Sequence, residues 1–208
     1  MHNFFSSQND DVHSIISRLN SNDPTFHKVE CGQLGLDPET SRTIFAALKY
    51  NTHVKTIEFL GNNSKGAIKI LADSIRCHQS LEEIYLGTNG LDDEEFYYLS
   101  ESLKENWSSV QLLDINSNIG ITDISASYIA ELLEQSTHIQ KIDLSFTNIT
   151  DVGLQQIINA LEKNHQSPLL ELCDQDVFNH GYLTKNEDLI QKFNNFINAK
   201  NASSMKFS

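Results

Sequence analysis
The chain has 208 residues, of which 39% are hydrophobic: enough for one domain with a packed core, and too many for a disordered chain. Its 28 acidic residues against 15 basic ones give a net charge of -13, which repels nucleic-acid phosphates and anionic membranes and favours a protein partner with a basic patch. Three widely spaced cysteines, Cys31, Cys77 and Cys173, indicate neither a disulfide framework nor a zinc knuckle, and no apolar run approaches the roughly 20 residues of a membrane span.

The first residues, MHNFFSSQNDDVH, lack a basic segment followed by a long apolar run, so no secretory signal peptide is expected, and the working compartment is expected to be reducing and cytoplasmic. Val12, Ile15, Ile16 and Leu19 then recur at helical spacing and predict an amphipathic cap helix within residues 1–25. Asn22-Asp23-Pro24 suits the turn that follows it.

From Phe26 onward the chain repeats itself. FHKVEC (Phe26), VKTIEF (Val54), LEEIYL (Leu81), VQLLDI (Val110) and IQKIDL (Ile139) share one pattern of apolar positions, and a partial copy begins LLEL at Leu169. The starts are 28, 27, 29, 29 and 30 residues apart, a regularity that predicts stacked supersecondary units. Asparagine follows the last apolar position by three residues at Asn62, Asn89 and Asn118, where its amide can satisfy backbone groups as the strand turns away. Leu34 and Thr147 hold that place in the first and fifth copies, so those turns should differ. The fourth copy carries an extra residue in NIGITD, expected as a small bulge.

Each strand pattern is followed by a helical one. Asp37-Pro38 reads as an N-cap with proline in the first turn, and Asp92 with Glu95 as a capping box. Phe96, Leu99 and Leu103, and later Leu154, Ile157, Ala160 and Leu161, fall at helical intervals. Thr184 with Glu187 predicts a capping box before a closing helix carrying Leu189, Ile190, Phe193, Phe196 and Ile197. The expected organisation is a helical cap (1–25), five full repeats and one partial (26–176), a capping-helix region (177–198) and a loose tail (199–208). The fold class is α/β: a right-handed solenoid with parallel strands on the concave face and helices on the convex face.

Repeats of 27 to 30 residues resemble the ribonuclease-inhibitor class of leucine-rich repeats. Within it, Asn22-Asp23-Pro24, the strand from Phe26, Ala47-Leu48-Lys49 and Asn51-Thr52-His53-Val54 resemble the start of the leucine-rich-repeat domain of the tropomodulin and leiomodin family, in register over about residues 12 to 106. That resemblance implies actin as an alternative partner, at the slow-growing filament end. No upstream stretch matches that family's tropomyosin- and actin-binding half, and the chain from Val177 on does not match it. Similar repeats also occur in effectors that intracellular bacteria deliver into host cells, and the Asn, Ile and Lys content fits such a source.

In such a solenoid alternate strand positions face the core and the concave surface. The central concave column is expected to read Glu30, Glu58, Tyr85, Asp114, Asp143, with neighbouring rungs about 5 Å apart; such crowded carboxylates would attract a basic ligand. Flanking columns are expected to turn Leu60, Leu112, Phe146 and Leu170 toward solvent as apolar anchors. Trp107 is expected to pack under a loop, Cys31 in the core, and Cys173 on the concave side.

The motif inventory holds no His-Glu-x-x-His, phosphate-binding glycine loop or nucleophile elbow, and His53 and His138 are one loop feature copied twice. Strand carboxylates without a constraining loop make poor calcium cages, so no metal or cofactor is expected. The predicted function is non-enzymatic protein binding through the concave face. The enzyme alternative, a relative of leucine-rich-repeat ubiquitin ligases, would need a separate catalytic cysteine domain, and here repeats and caps use nearly the whole chain.

Overall fold
The computed structural model describes residues 11–76, 78–104, 109–164, 172 and 184–204, with side chains in the last helix as far as residue 199. Cys77, Trp107, the copy starting at Leu169, Leu170 and Cys173 lie outside the described residues. The elements alternate: α1 (Val12–Asn20), β1 (Lys28–Glu30), α2 (Pro38–Ala47), β2 (Thr56–Glu58), α3 (Ile68–Ile75), β3 (Glu83–Tyr85), α4 (Asp93–Leu103), β4 (Leu112–Asp114), α5 (Asp123–Gln135), β5 (Lys141–Asp143), α6 (Asp151–Lys163) and α7 (Glu187–Ser204). The five strands form one parallel sheet in sequence order, and each helix packs on the next. The strands line the concave face and the helices the convex one.

The repeat places the core. Val29, Ile57, Ile84, Leu113 and Ile142 pair rung to rung and are fully buried. Cys31, Phe59, Leu86, Ile115 and Leu144 form a second buried column two residues on. Each such aliphatic side chain contributes about 1.5–3 kcal/mol, but only with a neighbouring rung to bury against. At the first rung α1 supplies that neighbour. Asp11 caps it by accepting the Ser14 N–H, and Ile15 and Leu19 enter the core.

The residues that carry the tropomodulin resemblance hold this cap in place. Asn22 sits in the left-handed region at φ 50°, and its side-chain oxygen accepts the Thr52 N–H at 2.9 Å. Asp23 accepts from Arg18 and from Thr25, and Asn51 accepts the N–H groups of His53 and Val54.

The expected asparagines do their work across repeats. Asn118 accepts the N–H groups of Asn89 and Leu91 from the previous repeat, and donates to the carbonyls of Leu86 and Ile115. Asn62 accepts the Leu36 N–H and donates to Cys31 and Phe59, and Asn89 donates to Phe59 and Gly87. All three are buried. Thr147, in the same place, reaches only the Leu144 carbonyl of its own repeat. The extra residue of the fourth copy pushes Ile119 out to 74% exposure and brings Gly120 into a bridge with Asp92. A Cβ on Gly120 would lie 2.5 Å from the Leu91 carbonyl oxygen, so glycine is required there.

Both expected capping boxes are corrected. Asp92 accepts the Glu95 N–H, but the Glu95 carboxylate does not return to Asp92; it accepts the Gly66 N–H one repeat back, near the start of α3, whose own cap position Ala67 offers no side chain. Thr184 donates to Asp151, and Asn186 caps α7 by accepting the N–H groups of Asp188 and Leu189. That helix continues to Ser204, past the expected boundary at 198 and into the expected tail, because no glycine or proline stops it.

A second ladder joins the helix starts. Asp93 accepts the backbone and hydroxyl hydrogens of Thr122 and Ser125, Asp123 accepts those of Thr150, and Asp151 accepts from Thr184 and Asn186. Burial pulls the Asp93 carboxyl up, but these hydrogen bonds outweigh it and hold the group below the usual carboxylate range.

Replacing Asn118 by alanine strands several buried backbone groups, each worth about 1–3 kcal/mol, so the variant should lose about 3 kcal/mol in urea unfolding. Thr147→Ala, one rung later, should lose less than about 1 kcal/mol. Equal losses would mean that the asparagine does no more than a threonine can.

Candidate protein-interaction face
The concave column is in register. Glu30 pairs with Glu58, Glu58 with Tyr85, Tyr85 with Asp114, and Asp114 with Asp143. Its neighbours are the first strand positions, Lys28, Thr56, Glu83, Leu112 and Lys141, which share the face because strand side chains alternate. Sequence reasoning placed only Leu112 of this column on the face and missed its polar and charged members, although the same period of two points to them.

The second column changes the electrostatics. The Lys28 ammonium lies 2.6 Å from Glu30 and 2.7 Å from Glu58, so it neutralises much of the expected repulsion at the first two rungs, and these hydrogen bonds hold its own pKa well above the usual lysine value. Thr56 and Tyr85 both donate to the Glu83 carboxylate, and burial with the Glu83 charge raises the Tyr85 hydroxyl. Asp114 is only 9% exposed and accepts both the backbone and side-chain N–H of Asn116, while Asp143 accepts the Ser145 N–H. Glu30 alone in the acidic column is exposed; Glu58, Tyr85 and Asp143 are half-buried. The column therefore differs from an open acidic stripe: its ends carry Lys28 and Lys141, and Asp114 is tucked in.

The expected apolar anchors are not one column. Leu112 occupies the first strand position, Leu60 the second position after the strand, and Phe146 the turn. Leu60 and Asn116 close over Gly87, where a Cβ would meet both at 2.9 Å. Phe146 is 48% exposed and sits at φ 57°, at the repeat position where Gln33, Gly61, Thr88 and Ser117 are also left-handed. That shared turn keeps each backbone N–H in the ladder, as Gln33 to Leu60 and Ser117 to Ser145 show. Larger exposed apolar groups lie elsewhere, on the loops and helices: Tyr50 at 81%, Val152 at 64% and Ile124 at 57%.

Among the described residues of this face none is placed as an activated nucleophile. Cys31 is fully buried, and burial pushes its thiol up to about 12, which leaves it inert at neutral pH. Among the described residues no group of three or more His, Cys, Asp and Glu side chains is placed to hold a metal ion. No helix among them is long and apolar enough to cross a membrane.

Comparison with known proteins agrees with this geometry. The model of a family described as Leucine Rich repeat matches residues 135–157, the stretch around β5. The fold is a leucine-rich-repeat solenoid. Mouse ribonuclease inhibitor is 33% identical over 115 residues, covering 54% of this chain and 25% of the inhibitor. The chain spans a quarter or less of the length of the curated relatives it matches. Among solved structures, the tropomodulin C-terminal domain of Caenorhabditis elegans superposes with a TM-score of 0.61 at 17% identity, covering 75% of this chain and 94% of that one. Leiomodin-1 actin-binding site 2 does so with a TM-score of 0.50 at 16% identity, covering 92% and 90%. At these identities the likeness concerns the fold.

Asp114 supplies a test of the face's electrostatics. Burial pushes its carboxyl above the usual range, the Asn116 hydrogen bonds pull it back, and the Asp143 charge pushes it up again. A carboxyl whose folded pKa exceeds its unfolded one binds its proton more tightly when folded, so it weakens the fold as pH rises through that range. Asp114→Asn should therefore raise the urea midpoint at neutral pH, and the gain should vanish by about pH 3, where unfolded aspartate is protonated. A loss at neutral pH would show that Asn116 outweighs the burial.

Proposed function
We propose that this chain is a non-enzymatic protein-binding module that receives its partner on the concave face. The observation that carries this reading is the in-register column of Glu30, Glu58, Tyr85, Asp114 and Asp143, whose side chains lie outside the buried strand columns. Tyr85 supplies area at the centre, and Leu60, Leu112 and Phe146 supply scattered apolar contacts around it. Glu58 and Asp143 give a basic partner its counter-charges, at a net charge of -13 that steers such a partner in. The relatives support a binding role: one is named for inhibiting a ribonuclease, another as a protein phosphatase 1 regulatory subunit. A free cysteine packed in the core suits a reducing, cytoplasmic setting. Delivery into a host cell as a bacterial effector is supported by composition alone.

Actin binding is the second reading, favoured by one structural neighbour, which is named as an actin-binding site of leiomodin-1. Of the residues that resemble that family, Asn22 and Thr52 tie the end of α1 to the first repeat, and Asp23 and Asn51 hold the turns beside them, which gives them a folding role independent of actin. Slow-end filament elongation should therefore be unchanged at micromolar concentrations of this protein; dose-dependent inhibition would reverse the order of the two readings.

A photoreactive p-benzoylphenylalanine in place of Tyr85 tests the concave face directly in cell extract. It should form an adduct that excess unmodified protein competes away, and the adduct should weaken between 0.1 M and 1 M salt as the Debye length falls from about 10 Å to about 3 Å. Glu58→Lys with Asp143→Lys should abolish it; Asp114 is avoided because a lysine there would be buried. Adducts from Gln156 on α6, with none from Tyr85, would place the interface on the helices.

A further inference from the structure
The convex side carries an aromatic cluster. Tyr97 and Tyr98 of α4 and Tyr128 of α5 form a continuous aromatic cluster, with ring centroids 5.7 Å apart for Tyr97 and Tyr98 and 5.3 Å apart for Tyr97 and Tyr128. Tyr97 is 41% exposed, and Ile124, one turn before Tyr128 on the same helix face, is 57% exposed. The buried faces of the two helices are made by Phe96, Leu99, Leu103, Ile129, Leu132 and Leu133, with Tyr128 partly buried against that core and Tyr97 turned outward.

The two helices themselves are acidic, and the cations beside them, Lys69, Lys104 and Lys163, come from outside them. Neither α4 (DEEFYYLSESL) nor α5 (DISASYIAELLEQ) contains a lysine or arginine. Lys104 is shared between Glu101 and Glu131, at 2.6 and 2.9 Å, so one cation serves two carboxylates there. Glu94 is exposed and accepts only from the Tyr98 hydroxyl among the described contacts.

One cation shows what the rings accept. The Lys69 ammonium lies 4.8 Å from the centroid of Tyr98, within the range at which a ring face attracts a cation. Among the described residues no cation of this chain lies over Tyr97 or Tyr128, one step along the same surface.

We propose that the Tyr97–Tyr128 surface of α4 and α5 is a docking site for an arginine-bearing protein segment, whose guanidinium groups stack on the tyrosine rings and pair with Glu94, Glu101 and Glu131. Arginine suits the site better than lysine, because its planar, weakly hydrated guanidinium stacks on rings and forks to carboxylates. This surface is separate from the concave face and stands or falls without it.

The test uses the whole protein with ring-labelled tyrosine and a synthetic peptide of four arginines alternating with glycine. Titration followed by NMR should shift the Tyr97 and Tyr128 ring signals and leave Tyr50, exposed at the far end of α2, as an unshifted control. The peptide with citrulline in place of arginine, equal in shape and neutral, should not bind. Tyr97→Ser with Tyr128→Ser should weaken binding at least tenfold, whereas Tyr97→Phe with Tyr128→Phe should retain it. If the serine pair fails to fold, Glu94→Gln with Glu101→Gln reports instead and should weaken binding several-fold. Binding unchanged in these variants, shifts confined to Tyr85, equal binding of the citrulline peptide, or ring shifts that depend on protein concentration alone would each overturn the proposal, the last in favour of self-association.

Discussion
A three-residue strand whose chain turns away toward a helix strands polar backbone groups in the interior, and satisfying them constrains everything else in this solenoid. Asn62, Asn89 and Asn118 meet that demand by bonding backward, to carbonyls and N–H groups of the preceding repeat. Because the partner groups belong to another repeat, satisfaction of one turn requires its neighbour to be folded. The buried columns through Val29 to Ile142 and Cys31 to Leu144 have the same property, so polar and apolar terms favour the same register.

With backbone and core fixed by the inner positions, the outer positions are released for other duties, and the two outer faces have used that freedom differently. The concave face is self-compensating: Lys28 sits between Glu30 and Glu58, and Thr56 and Tyr85 converge on Glu83. A partner there must displace internal pairs as well as water, so its affinity depends on Tyr85 and on geometry more than on bulk charge. The outer side of α4 and α5 is less fully compensated: Lys104 alone serves both Glu101 and Glu131, and Glu94 takes only the Tyr98 hydroxyl among the described contacts.

The sequence made the architecture legible because each signal was repeated. Periodic apolar positions gave five strands in the observed register, and Asp37, Asn62, Asn89 and Asn118 announced their turns. What it concealed were choices between equivalent partners. Glu95 stands three residues after Asp92 and could have closed a box there, yet the uncapped start of α3 one repeat back claims it. Thr184 could have capped α7, but its oxygen accepts the Asn186 N–H while its hydroxyl donates to Asp151, and Asn186 takes the cap. The concave column was correctly aligned, yet its charges were misjudged, because alignment of one column says nothing about the lysines in the next. Phe146, Leu60 and Leu112 looked alike as apolar letters and occupy three different repeat positions.

The ladder of aspartates at the helix starts has a consequence for how such a chain can grow. In α4, α5 and α6 the helix begins with an aspartate that grips the residues leading into the next: Asp93 with Thr122, Asp123 with Thr150, Asp151 with Thr184. In α5 and α6 the gripping and gripped residues stand side by side, as Thr122-Asp123 and Thr150-Asp151. A unit cut between such pairs therefore carries matching ends, and an added copy of residues 123–150 would present a threonine to the preceding aspartate and an aspartate to the following threonine. The earlier repeats lack matched ends, since the start of α3 leans on Glu95 from the following repeat and Asp92 pairs with Lys65 from the one before. Lengthening by tandem duplication is thus built into the fourth and fifth repeats, while the first three are fitted individually to their places.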